Sequence, residues 1–396
     1  MVTNVLPGPG LAVHGGPRIA LTTEWLTAFG GAERCLVEFQ RVFPDAPIYT
    51  SVYEPRGLPA EHRGWTVRPS FLQRMPLARR NHRPFFPLMP LAFESFDLSE
   101  YDLVLTTSSA AAKGVITPPD VPNLCYCYTP PRYLWDQYHQ QTKGLRGKAF
   151  IGLAAHWLRV WDRAAADRVD HFLAISETVA SRIRRYYRRE AAVVHPPVDT
   201  QRFRPNGLPS EDFLLVVSRL VPYKRVDQAV IAATRLGVPL KVVGVGPEMQ
   251  RLRALAGRNV TFLGWRDDAE VAELYARCRA FVFPGLDDFG IAPVEAMASG
   301  RPVVAYGRGG ATETVIDGVT GILYDEQTDA ALAGAIEELM SRSFDASACR
   351  AQAERFDSSI FRARIAGAVA DALGRRPGGA PSPPAVVASP SVLSFR

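Results

Sequence analysis

Phe283-Pro284-Gly285-Leu286-Asp287-Asp288-Phe289-Gly290-Ile291-Ala292-Pro293-Val294-Glu295-Ala296-Met297-Ala298-Ser299-Gly300 is the stretch on which the fold turns. An apolar strand, Ala280 to Phe283, runs into a Pro-Gly loop that carries two adjacent carboxylates and then a Phe-Gly turn. A helix is expected to begin near Pro293, with Glu295 in its first turn. In an open α/β sheet, ligands bind just outside the carboxyl ends of the strands. Asp287 and Glu295 are therefore expected to face one cleft, from a loop and from a helix start. Carboxylates accept hydrogen bonds in pairs and suit vicinal diols. The N–H groups of a helix start suit phosphate or sugar oxygens. One loop thus offers acceptors and donors to a polyhydroxylated, phosphorylated ligand.

Outward from that loop, apolar runs alternate with helical patterns. Strands are expected at Arg18–Thr22, Asp102–Thr106, Asn123–Tyr128 and His171–Ile175. They recur at Phe213–Val217, Leu240–Val243, Val260–Leu263, Ala280–Phe283 and Pro302–Ala305, with helices between them such as Val226–Arg235 and Glu270–Cys278. Such alternation predicts parallel, doubly wound sheets. At 396 residues the chain is too long for one core. Pro196-Pro197-Val198-Asp199 through Pro205-Asn206-Gly207 reads as the linker, because proline cannot pair in a central strand. The expected organisation is a first domain over 1–200 and a second over 208–350, with a helix over 351–375. The Pro/Ala/Ser/Gly-rich tail 376–396 has little with which to build a core and is expected to be disordered.

Further motifs fall at strand ends. Ser218-Arg219-Leu220-Val221-Pro222-Tyr223-Lys224 follows the first strand of the second half. Arg219 and Lys224 are placed there to clamp a diphosphate, one with a planar fork and the other with a compact charge. Phe29-Gly30-Gly31-Ala32-Glu33 lets backbone approach a ligand at a helix start. Val242-Val243-Gly244-Val245-Gly246-Pro247 ends a strand in Gly-x-Gly but lacks the third glycine of a dinucleotide fingerprint. Ser108 to Gly114, and then Cys125-Tyr126-Cys127-Tyr128-Thr129-Pro130-Pro131-Arg132-Tyr133-Leu134-Trp135-Asp136, carry a strand into an aromatic, charged Pro-Pro turn. No Ser/His/Asp triad or zinc spacing is present, and Asp267-Asp268 and Asp287-Asp288 are not an Asp-x-Asp metal motif.

Taken in order, these motifs resemble the retaining glycosyltransferases of family 4 (GT4), whose acidic-x7-Glu signature matches Asp287 to Glu295 with Asp in place of the usual Glu. The resemblance covers nearly the whole chain to about residue 375. It implies a GT-B fold, two Rossmann-like domains facing a central cleft, with 1–200 on the acceptor side, 208–350 binding the nucleotide-sugar and the helix over 351–375 packing back toward the first domain. The segment around Tyr128 resembles a subgroup rich in mannosyltransferases for bacterial polysaccharides and O-antigens, with Tyr128 where that subgroup has His. The resemblance implies catalytic roles for Asp287, Glu295, Arg219 and Lys224. It implies donor contacts from Gly30, Gly31, Tyr128, Ser218, Gly244, Gly246, Asp288, Phe289, Gly290 and Ile291. Glu24, Lys113 and Arg132 are assigned to the acceptor side. It further implies transfer of mannose from GDP-mannose to a lipid-linked or polysaccharide glycan with retention, no cofactor and no essential metal. A UDP-hexose transferase, an epimerase of the same architecture and an inactive nucleotide-sugar-binding partner stay open.

The net charge of +6 is concentrated in residues 1–200, which hold 23 Lys and Arg against 18 Asp and Glu. Arg74, Arg79, Arg80 and Arg83 lie beside Phe85, Phe86, Leu88 and Met89. Arg182, Arg184, Arg185, Arg188 and Arg189 accompany Tyr186 and Tyr187. Basic residues mixed with large apolar ones suit an anionic membrane surface, and no nucleic-acid motif accompanies them. With no apolar run of about 18 residues and no signal-peptide pattern in Met1 to Pro17, a cytoplasmic chain, peripheral on the inner membrane face, is expected. The five cysteines are scattered and odd in number, as for reduced thiols.

Overall fold

The computed structural model describes residues 16–143, 148–207 and 209–374. The tail 376–396 and most of the segment Met1 to Pro17 lie outside the described residues. The strands are β1 (Ile19–Thr23), β2 (Ile48–Thr50), β3 (Val67–Pro69), β4 (Leu103–Ser108), β5 (Asn123–Cys127), β6 (His171–Ala174) and β7 (Ala191–Val193), then β8 (Leu214–Val217), β9 (Leu240–Val243), β10 (Val260–Gly264), β11 (Ala280–Phe283), β12 (Val303–Tyr306) and β13 (Gly321–Tyr324). They form two parallel sheets, ordered β3-β2-β1-β4-β5-β6-β7 and β10-β9-β8-β11-β12-β13.

Helices α1 (Gly31–Val42), α2 (Met89–Glu94), α3 (Tyr138–Gln141), α4 (Lys148–Asp167) and α5 (Glu177–Tyr187) accompany the first sheet. The second is accompanied by α6 (Val226–Leu236), α7 (Met249–Leu255), α8 (Asp268–Arg277), α9 (Ile291–Ala298), α10 (Ala311–Thr314) and α11 (Asp329–Ser341), and α12 (Ala346–Glu354) and α13 (Ser358–Gly374) follow. This is the doubly wound, two-domain α/β arrangement that the strand–helix alternation predicts.

The apolar runs become strands because helices cover both faces of each sheet, leaving no wet side to favour polar residues. Every residue of β1, β4, β5 and β11 is buried. The strands the sequence did not announce are short. β2, β3 and β7 have three residues each, and β13 opens on a glycine.

Two chain segments cross side by side between the halves. Val198 donates its N–H to the Phe356 carbonyl at 3.0 Å, and Ser358 donates back to the Val198 carbonyl at 3.0 Å. Beyond the crossing, α13 lies on α1. The Phe361 ring sits 5.2 Å from Phe39, and Arg362 Nη1 reaches Glu38 Oε2 at 2.5 Å. One apolar cluster therefore runs from the first sheet through Phe361, Phe356 and Phe289 into α9, and the carboxyl ends of the two sheets face one another across its rim.

Candidate functional site

The loop after β11 and the turn after β8 meet. Lys224, closing the short 3-10 turn Pro222–Lys224, makes a close ion pair with Asp287 Oδ2. Its ammonium also lies over the rings of Tyr223 (5.5 Å) and Phe283 (5.9 Å). Arg219 at the end of β8 is exposed, and among the described residues its guanidinium finds a hydrogen-bond partner in the Tyr223 hydroxyl, at 3.5 Å. Two cations thus stand at the strand ends, one half-spent on a carboxylate and one open to a ligand.

The backbone turns behind them are tight. Gly244 has φ +127°, and a Cβ there would meet the Ser218 carbonyl oxygen at 1.9 Å, while one at Gly246 would meet that of Leu220 at 2.2 Å. The glycines of the Gly-x-Gly turn therefore let β8 and β9 end side by side. Ser218 Oγ donates to the Arg219 carbonyl at 3.0 Å.

Helix α9 begins at Ile291, earlier than the sequence predicts. Gly290 serves as its N-cap with φ +85°, a conformation that favours glycine. Pro293 is accommodated inside the first turn, where its missing N–H has no helical partner to lose. Glu295 consequently sits in the second turn. The opening N–H groups near Gly290, Ile291 and Ala292 point out of the helix end, lacking intrahelical acceptors. Across the cleft stands the two-glycine loop. A Cβ on Gly31 would lie 3.5 Å from Ile291 Cδ1, and Gly30 donates its N–H to Glu33 Oε2 at 2.9 Å.

Glu295 is held by groups the sequence did not announce. The Tyr275 hydroxyl of α8 donates to its Oε2 at 3.1 Å. Burial pushes its carboxyl pKa above the usual value, opposed by nearby Arg34 and by that hydroxyl. Arg34, from the first turn of α1, reaches over from the other half to Asp268 Oδ1 at 2.5 Å.

Several expected roles are corrected by geometry. Glu24, assigned to the acceptor side, is buried. Its buried carboxylate accepts from Ser108 Oγ (2.8 Å) and from the N–H groups of Ser109, Ala110, Ala111 and Ala112 (2.7 to 3.2 Å). Lys113 is 1% exposed and forms a close ion pair with the equally buried Asp162. Asp162 also takes Trp135 Nε1 at 2.8 Å and the Tyr187 hydroxyl at 3.0 Å. Tyr128 spends its hydroxyl on the Ala32 carbonyl at 3.0 Å, and burial keeps the phenol neutral. It steadies the two-glycine loop rather than offering its hydroxyl to a donor. Arg132 and Asp288 are paired with each other across the halves, at 3.2 Å.

The basic clusters divide. Arg182 pairs with Asp288, Arg184 with Glu190 at 2.9 Å, and Arg189 donates to three carbonyls, whereas Arg185 and Arg188 are exposed, so only part of the expected basic face is free. Arg74, Arg79, Arg80 and Arg83 are exposed, and among the described residues none has a carboxylate within ion-pair distance. Near them in sequence Leu77 is 70% exposed and Leu91 57%. All five cysteines are buried and unpaired, and burial pushes Cys35, Cys127, Cys278 and Cys349 up to about 12. No helix among the described residues is long and apolar enough to cross a membrane.

Comparison with known proteins agrees with this geometry. The model for glycosyl transferases group 1 matches residues 198–356, and that for Glycosyltransferase Family 4 matches residues 29–202. The GDP-mannose-dependent alpha-(1-6)-phosphatidylinositol monomannoside mannosyltransferase of Mycobacterium tuberculosis is 32% identical over 209 residues, 45% of this chain and 54% of that protein. The D-inositol 3-phosphate glycosyltransferase of Acidothermus cellulolyticus is 35% identical over 218 residues, 46% of this chain and 48% of that protein. The chain thus spans about half the length of the curated relatives it matches. Among solved structures, sucrose-phosphate synthase from Thermosynechococcus elongatus superposes with a TM-score of 0.71 at 18% identity, covering 90% of this chain and 99% of that one. Anabaena Alr3699/HepE, solved with UDP and glucose, gives 0.68 at 22% identity, covering 90% and 100%. Both likenesses speak for the fold.

Proposed function

We propose, from the premise that this chain belongs to the family 4 glycosyltransferases of GT-B fold, that it transfers mannose from GDP-mannose to a lipid-linked or polysaccharide glycan, with retention. The observation that carries this reading is the pair of cations at the carboxyl ends of the second sheet, with Arg219 open and Lys224 on Asp287, facing the start of α9. A leaving nucleoside diphosphate gains negative charge as its sugar bond breaks, and preorganised cations there stabilise that charge most where water is excluded. The mannose and lipid-linked choices draw on the similarity to the mycobacterial phosphatidylinositol monomannoside mannosyltransferase.

In this reading Arg219 and Lys224 hold the diphosphate, Asp287 a sugar hydroxyl and Glu295 the ribose diol, with Tyr275 and Arg34 fixing the Glu295 carboxylate. The N–H groups at Gly290 and Ile291 orient the sugar, and Gly31 lets the first half approach. No carboxylate is assigned as a nucleophile. The departing diphosphate oxygen takes the acceptor hydroxyl's proton on the face it leaves, through an oxocarbenium-like state, and the new bond forms on that same face. The exposed arginines at 74–83, with Leu77 and Leu91, supply a surface for an anionic bilayer that would bring a lipid-linked acceptor to the cleft.

The test is turnover by purified chain with GDP-mannose or UDP-glucose, a lipid extract as acceptor source and chelator present, followed by NMR of the product. An α-mannoside from GDP-mannose is expected. Product from UDP-glucose alone overturns the donor, and an isomerised donor without acceptor dependence overturns the reaction class. Binding to anionic vesicles that persists in an Arg79→Glu, Arg80→Glu variant would overturn the bilayer surface.

A further inference from the structure

The carboxylate beside Asp287 is committed elsewhere. Asp288 Oδ1 receives Arg132 Nη1 at 3.2 Å and a closer contact from Arg182 Nη1, both from the first half. Arg132 Nε and Arg182 Nε in turn approach Asp136 Oδ2 at 3.4 and 3.6 Å. Two arginines and two aspartates thus alternate in a neutral cluster, with Arg132, Arg182 and Asp288 about 15% exposed.

The main chain is held as well. Ser176 Oγ donates to the Asp288 carbonyl at 2.6 Å while accepting the Val179 N–H at 3.1 Å as the cap of α5. Gly310 donates its N–H to the Asp287 carbonyl at 3.0 Å. From the same side, Glu313 of α10 accepts the N–H groups of Glu177 (2.8 Å) and Thr178 (3.1 Å) and lies 3.3 Å from His195 Nε2. The first turn of α5 is therefore gripped between Asp288 and Glu313 of the other half.

We propose that Asp288 is a positioning residue. Through Arg132, Arg182 and Ser176 it sets the loop that carries Asp287 and starts α9, and does so only when the two halves are closed. Its carboxylate is already taken by two guanidiniums, so it is poorly placed to bind a sugar hydroxyl. An unpaired carboxylate there would repel an incoming diphosphate, and the arginines remove that charge. Because the arginines belong to the other half, separation of the halves frees the loop, and closure restores it. Closure and the placement of Asp287 become one event, and closure also excludes water from the donor. This rests on the donor-site reading of Asp287.

The tests use the full chain. Asp288→Asn and Arg182→Met are each expected to leave nucleoside diphosphate affinity within about threefold of wild type, because Arg219 and Lys224 are untouched. Transfer kcat should fall on the order of 100-fold, the scale of an ångström-level misplacement, and the fraction of donor hydrolysed rather than transferred should rise. The double variant should fall well short of the summed losses of the two singles, since each removes the shared Arg182–Asp288 pair. Arg182→Lys should recover most of the rate, and Ser176→Ala should move the same readouts less, serving where Asp288→Asn does not fold.

Small-angle scattering without any donor should show both single variants more open than wild type. Unchanged scattering, an unchanged ratio of hydrolysis to transfer, or donor affinity lost with Asp288→Asn but not with Arg182→Met would each overturn the proposal. Absence of nucleotide binding by wild type would instead count against the donor site, and the scattering result would still decide the clasp.

Discussion

The carboxyl ends of the two sheets offer the same residue types with opposite outcomes. At the first sheet, Glu24 and Lys113 are buried and fully engaged, one by a ring of backbone N–H groups and the other by Asp162 and the Ala110 carbonyl. At the second sheet, Lys224 and Asp287 are partly exposed, and among the described residues Arg219 has no carboxylate partner. A strand-end position is therefore not enough to make a site. What separates the two is hydrogen-bonding capacity left unspent and open to the cleft. Charged groups buried together with their partners hold structure, whereas charged groups left open can exchange a partner for a ligand.

Breaking the first region should cost folding. Lys113→Met would leave Asp162 buried without its cation and is expected to destabilise the chain by about 3–5 kcal/mol. Glu24→Gln would confront several backbone donors with an amide that can accept through only one oxygen, at about 1–3 kcal/mol. Denaturant titration measures both. A loss near zero in either would mean that region is as free as the second and would remove the contrast.

A smaller effect sharpens the comparison at the boundary between the halves. Burial acts to raise the Glu313 pKa, but hydrogen bonds from His195, Glu177 and Thr178 outweigh it, so the net pKa is lowered. A depressed carboxyl stabilises the fold above its unfolded pKa, and that contribution is lost as pH falls through its folded value. Glu313→Gln is thus expected to lower stability by about 1 kcal/mol at neutral pH, with the gap to wild type closing as the solution is acidified below the usual carboxylate range. A gap that stays constant with pH would contradict it.

How much of this was legible follows from sequence distance. Arg219, Lys224 and Asp287 could be placed because each lies next to an apolar run that had to become a strand. The helix start was misplaced by two residues because Pro293 resembles a first helical position, whereas the positive φ that Gly290 permits lets the helix begin earlier. Short β2, β3 and β7 carry too few residues for a pattern. The partners of Glu24 lie 84 to 88 residues away, that of Arg34 lies 234 away, and Asp288 meets Arg132 and Arg182 over separations of 156 and 106. Such pairings leave no local trace, so a chain read alone shows which groups carry charge but not where that charge is spent.

The most direct test of the central claim, that the second sheet's open cations bind a nucleoside diphosphate, is thermal unfolding of wild type and an Arg219→Ala, Lys224→Ala variant with GDP, UDP, ADP and their sugar conjugates. At 100 times its dissociation constant a ligand stabilises by about 2.7 kcal/mol, a shift of a few degrees for a chain of this size. The account predicts that shift for wild type with GDP and GDP-mannose, and none for the variant. An equal shift in both proteins, or no shift with any nucleotide, would contradict it.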